Sequence, residues 1–247
     1  MPCETIDEVI AQLDQIIEAC KDTNNPLGYF AVLYQKVTKR VKQGFANNEF
    51  DDNDLMEKLD VVFANRYIEA YTLWQQKQMP SKSWQVAFAA STESGHVILQ
   101  HLLLGINAHI NFDLGIATID CLQGKPLSEI QQNFFQINAL LASMVDELKT
   151  NMSRISPIFK YLMPLAKSMD EQIINFSIST ARDGAWGFAN QLNINSNRQQ
   201  LLNQRDEIIY KLGYGLKNPG RRLNWILKVV NLFEWRGIKK NMEILAE

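Results

Sequence analysis

Apolar side chains recur at three- and four-residue spacings along most of the chain, so it reads as helix after helix. Ile6, Val9, Ile10, Leu13, Ile16 and Ile17 mark a first amphipathic helix from Thr5 to Ala19, with Thr5 and Glu8 spaced as a capping box. Phe30, Leu33, Tyr34 and Val37 continue the pattern between about Leu27 and Phe45, and Lys39, Arg40 and Lys42 fall near the end of that helix, where cations suit its dipole. NNEFDDND offers N-caps for a third helix, about Leu55 to Gln78, which Pro80 ends. The less regular SKSWQVAFAASTESGH predicts a helical turn or two and a loop over a site. Ile130, Phe134, Ile137, Leu141, Val145 and Leu148 mark a helix between Leu127 and Ile155, with Pro126 fitting its first turn. Pro157 and Pro164 predict a short helix and a bend, followed by a long helix from about Lys167 to Leu192. A further helix is closed by Gly213, Gly215 and NPG, and RRLNWILKVVNLFEWRGIKK is amphipathic. With no linker visible, the pattern predicts one all-α domain over residues 1–247, a bundle of about eight to ten helices, with 219–247 docked on it as a basic amphipathic segment.

One stretch departs from the ordinary two-faced pattern. HLLLGINAHINFDLGIA, His101 to Ala117, is apolar nearly all round, as in a helix wrapped on every side by others. At about 100° per residue, His101, Gly105, His109 and Asp113 share an arc of roughly 120°, while Asn107 and Asn111 pair on another side. Between Glu93 and Asp113 there is no Lys, Arg, Asp or Glu, which approaches the length of a bilayer span. Its histidines and asparagines argue against crossing and for a buried central helix whose polar groups have partners.

Composition narrows the function. A formal charge of −2 gives no reason to expect nucleic acid as a partner. Cys3, Cys20 and Cys121 are an odd number without metal-type spacing and read as reduced thiols. The acidic start MPCETIDEVI lacks a basic region followed by an apolar run, so cytoplasmic residence is expected. Between Arg221 and Lys240 six basic residues face a single acid, Glu234. Such a segment can lie on an anionic membrane, but more often it docks on its own domain, and docking is expected here. No phosphate loop, GxGxxG, HExxH or GxSxG motif occurs.

The candidate chemistry centres on His109 and Asp113, one turn apart. With His101 and Asp183, or Glu171, they could hold a divalent metal such as zinc for a hydrolase or lyase, Asn107 and Asn111 orienting the ligands. Without metal, His109 serves as base, Asp113 orients it, and Arg66 or Arg182 clamps an anion. Arg66 either faces Asp113 or pairs with Glu69 on the surface. A non-catalytic reading has a small-molecule pocket lined by Tyr67, Trp74, Trp186, Asn107 and Asn111. The plainest reading is a buried structural network of the same His, Asn, Asp and Arg side chains.

LLGINAHINFDLGIA resembles the signature Leu-Gly-x-Asn-Ala-His-Ile-Asn-x-Asp-Leu of a bacterial all-helical family known only as a domain of unknown function, and FANRYIEAY and ARDGAW resemble its flanking blocks. The resemblance covers most of the chain and implies a helical fold, with no activity to carry over. A looser likeness, at Leu104, Gly105, His109 and Asp113 alone, is to the helical zinc phospholipase C and single-strand nuclease enzymes. Their trinuclear site needs many more histidines than the three present here.

Overall fold

The computed structural model describes residues 1–156, 178–234 and 237–247, apart from the side chains at 139, 142, 145 and 222. Among the described residues there are eleven α-helices and no strand, so the chain is all-α. They are α1 (Ile6–Asp22), α2 (Gly28–Ala46), α3 (Asn53–Gln75), α4 (Lys82–Ala89), α5 (Ile98–Ala108), α6 (Leu114–Leu122), α7 (Gln131–Ile155), α8 (Ile178–Ile194), α9 (Arg198–Lys217), α10 (Arg221–Phe233) and α11 (Ile238–Ala246). The expected bend at Pro157 and Pro164, the helix start near Lys167 with Glu171 and Asn175, and Trp235 and Arg236 lie outside the described residues.

α5 and α6 join through one turn of π-helix, His109–Asp113, into a helix spanning Ile98–Leu122. It is long and apolar enough to cross a membrane, yet its most apolar stretch is 83% buried by the helices around it. Its start is tied down on two sides. Glu234 accepts from the Ile98 amide at 3.0 Å, and Gln100 donates to the carbonyls of Leu216 and Lys217 at the end of α9. Two apolar clusters meet at this helix. One joins α1, α2, α4, α5 and α11 with one part of α3, and the other joins α6, α7 and α8 with another part of α3.

Helix ends follow local chemistry. The Thr5 hydroxyl accepts from the Glu8 amide at 3.2 Å, while the Glu8 carboxylate turns to the amide of Glu4 instead of closing the box on Thr5. Asp52 caps α3 by accepting from Leu55 N at 2.9 Å.

Two segments differ from the sequence reading. The two helical turns expected after Pro80 are α4, but they seat Trp84 in the core instead of forming a loop over a site, and α9 does not stop at its glycines but runs through Gly213 and Gly215 to Lys217. A Cβ at Gly213 would sit 2.8 Å from Val86 Cγ1, so this glycine lets α9 approach α4 rather than ending the helix. α10 buries Leu223, Ile226, Leu227 and Val230 against Val97 and Leu99, and α11 buries Met242, Ile244 and Leu245 in the main core.

Candidate functional site

Asp113 is 1% exposed and accepts three hydrogen bonds from three elements. Arg66 Nε of α3 donates to Oδ1 at 2.9 Å, Trp84 Nε1 of α4 donates to Oδ2 at 2.7 Å, and His109 Nδ1 lies 3.3 Å from the same Oδ2. Burial works against the charged carboxylate, but the Arg66 guanidinium, His109 and the Trp84 N–H outweigh it and hold the group below the ordinary Asp range. Arg66 therefore faces Asp113, and its side chain stays 28% exposed at the outer end. The π turn shares this region with the dyad, a backbone irregularity frequent at functional sites.

His109 is 2% exposed, and burial pushes its imidazole below the ordinary value despite the pull of Asp113, with Arg66 adding to the effect. The ring is therefore neutral, and the Asp113 contact assigns its proton to Nδ1. Nε2 is left as a bare acceptor, buried and without a hydrogen-bond partner. The ring lies flat on Phe63 at 3.6 Å between centroids, with the edges of Tyr34 and Phe30 against it at 4.5 and 5.8 Å.

A cavity of about 110 Å³ opens beside this ring. Apolar side chains dominate its wall, and Tyr34, Lys36, Asp60, His109 and Arg182 are its polar members. The Tyr34 hydroxyl and Asp60 Oδ2 are, like His109 Nε2, buried and unpartnered. The residues that carry these three atoms all line one small apolar cavity, and a buried polar atom without a partner is costly.

Burial, with Glu57 adding, pushes the Asp60 carboxyl up to about 7. Its folded value stands above the unfolded one, so its favourable linkage is complete below about pH 4 and lost as pH rises through 7. Asp60→Asn is thus expected to gain roughly 2–4 kcal/mol over wild type above pH 7. The gain should shrink to near zero by about pH 4, as read by urea unfolding across that range. A gain independent of pH would mean that Asp60 does not titrate in this way.

The other expected site residues fall elsewhere. His101 packs near Tyr29 and His96, pushed down to about 4 by burial and then by the His96 charge; Gly105, carrying the Phe30 ring, lies one turn from each of His101 and His109. Asp183 is exposed, because its neighbour Arg182 takes the inward direction of α8. Among the described residues no three His, Cys, Asp or Glu side chains converge as a metal would need, so the set His101, His109, Asp113 and Asp183 is not assembled.

Arg182 does not reach Asp113 either. It donates to Asn138 Oδ1 at 2.5 Å and to the Phe134 carbonyl, its guanidinium lying 4.5 Å over the Phe134 ring. Asn107 donates to Ile209 O at 3.0 Å, and Asn111 donates to Asn107 at 3.1 Å, so this pair ties the central helix to α9 instead of orienting His109. Tyr67 is in the aromatic group around His109, with ring centroids 6.0 Å apart, whereas the ring neighbours of Trp186 are Phe134 and Phe135. Sequence reasoning missed Trp84, Phe63, Tyr34 and Asp60 as members of the site. Asp60, Phe63 and Tyr67 do recur at three and four residues on α3, so the face was readable although its partner was not.

A family model described as a family of unknown function (DUF5995) matches residues 6–219. No curated protein and no solved structure matches the chain.

Proposed function

Because the chain belongs to this family of unknown function, whose name carries no activity, we propose from geometry that the protein binds a small, mostly apolar molecule bearing a hydroxyl group. The observation that carries the reading is the buried, unpartnered Nε2 of His109, a residue that lines the 110 Å³ cavity. Asp113 fixes the tautomer, so Nε2 accepts and a ligand O–H donates. An apolar pocket with a few convergent polar groups is the ordinary form of a small-molecule site.

Size sets the probe, since a cavity of about 150 Å³ lined by apolar side chains takes benzene. Phenol and toluene differ here in the one group at issue. Wild type is expected to bind phenol about tenfold more tightly than toluene in ligand-observed NMR titrations, the worth of one hydrogen bond. His109→Phe should erase the preference, and Ile137→Phe, which fills the cavity, should weaken both. Equal affinities would remove the hydroxyl reading, and no saturable binding of either would remove the cavity reading.

Asp60 favours a second reading, metal-free proton transfer, because a carboxyl raised to about 7 and a neutral imidazole on one cavity form an acid and base pair. Loss of deuterium from α-deuterated cyclohexanone should then be at least about tenfold faster with wild type than with His109→Phe. Equal rates would end this reading and leave the binding one intact.

A further inference from the structure

α10 is apolar on two sides, and only one is used by the fold. Leu223, Ile226, Leu227 and Val230 face inward and are buried. On the outward side Trp225 is 66% exposed, Leu232 75% and Phe233 41%. Arg221, Trp225, Lys228 and Leu232 follow one another at four, three and four residues, so they form one stripe, and Arg221 and Lys228 are exposed on it. No acidic residue occurs in Arg221–Phe233. A large apolar group left in water beside cations is the informative kind of exposure. The helix begins at Arg221, beyond residue 219 where the family match ends.

We propose that the outward face of α10 docks on an anionic lipid bilayer. The charge of the stripe selects the occupant. Its described cations match the negative surface of an anionic membrane, and a Trp beside Leu and Phe is the set that partitions into the headgroup boundary. The apolar groups project from a convex helix instead of lining a groove, which suits a fluid surface better than the pocketed centre of a protein interface. The buried inner stripe holds the helix on the body while the outer stripe inserts, so docking needs no unfolding. This face and the His109 cavity rest on separate observations and are tested separately.

The test is co-sedimentation of the full chain with vesicles of phosphatidylcholine alone and of phosphatidylcholine with about one third phosphatidylglycerol. Binding to the anionic vesicles is expected to exceed that to the neutral ones by at least about tenfold at low salt and to fall steeply as salt is added. Trp225→Ala with Leu232→Ser should reduce it at least about tenfold, and Arg221→Glu with Lys228→Glu should abolish the anionic preference. All four positions are exposed, and thermal melts unchanged from wild type would show that the variants fold. No binding to anionic vesicles, equal binding to both compositions, or retention by the Trp225 and Leu232 variant would overturn the proposal. So would concentration-dependent dimerisation lost in that variant without any vesicle binding, since the occupant would then be a second copy.

Discussion

Asp113→Ala is expected to lower the unfolding free energy by about 3–5 kcal/mol, a large share of the roughly 5–15 kcal/mol that holds a domain together. The carboxylate is the common acceptor for Arg66, Trp84 and His109, and alanine leaves all three donors without it. Trp84 and His109 are buried too deeply for water to replace the bond, whereas Arg66 can turn outward. Asp113→Leu combined with Arg66→Met should therefore recover only part of the loss, because Trp84 Nε1 and His109 Nδ1 remain unpaired. Since the folded carboxyl is held below its ordinary value, its contribution is present above about pH 4 and lost as pH falls through the folded value. Guanidinium unfolding at neutral pH would show the deficit as a lower midpoint. A loss under about 1 kcal/mol would mean that the three hydrogen bonds are worth no more than exposed ones.

The same residue shows what a sequence can and cannot convey here. Asp113 and His109 are four apart on a stretch without other charge, so their pairing followed from helical geometry, and apolar residues on all sides announced a central buried helix. Arg66 was readable as a partner because a buried acid needs a cation and FANRYIEAY offered one. Trp84 was not, because the eight residues of α4 give too few turns for periodicity to identify the inward face. The metal set failed for a related reason. Angular arithmetic places His101 and His109 on one side of one helix, but it says nothing about Phe30, whose ring takes the surface at Gly105, one turn from each. Asp183 and Arg182 present the limit most sharply. Adjacent helical residues point about 100° apart, and which of these two turned inward depended on Phe134 and Asn138 waiting on α7. The asparagines were legible as buried and in need of partners, and their destination, the Ile209 carbonyl of α9, is a contact about a hundred residues away in sequence.

Gly105 and Gly115, at the two ends of the motif, carry the second large prediction, and its sign is the test. Glycine to alanine inside a helix ordinarily stabilises by about 1 kcal/mol. Here both substitutions are expected to destabilise by about 1–3 kcal/mol, because each glycine marks a close approach. A Cβ at Gly105 would overlap the Phe30 ring and come 2.9 Å from Phe30 Cβ. At Gly115 it would stand 2.8 Å from the Ala185 carbonyl oxygen and 2.9 Å from Phe188 Cδ1. The obstacles differ in kind, so the rescues must differ. Phe30→Ala removes the ring carbons that the new Cβ would meet and leaves only the Phe30 Cβ, so Gly105→Ala should cost much less in that background than in wild type, giving a strongly non-additive double mutant. Phe188→Leu should do little for Gly115→Ala, because the nearer atom belongs to the α8 backbone and moves only if the helix moves. That shift would loosen the seat of Arg182 on Phe134 and the cavity wall beside it. Gly115→Ala is thus expected to weaken phenol binding as well as stability. Chemical unfolding of the two glycine variants, the two phenylalanine variants and the two double variants decides the matter. A stabilised Gly115→Ala would show that α6 and α8 are not in the close contact described here.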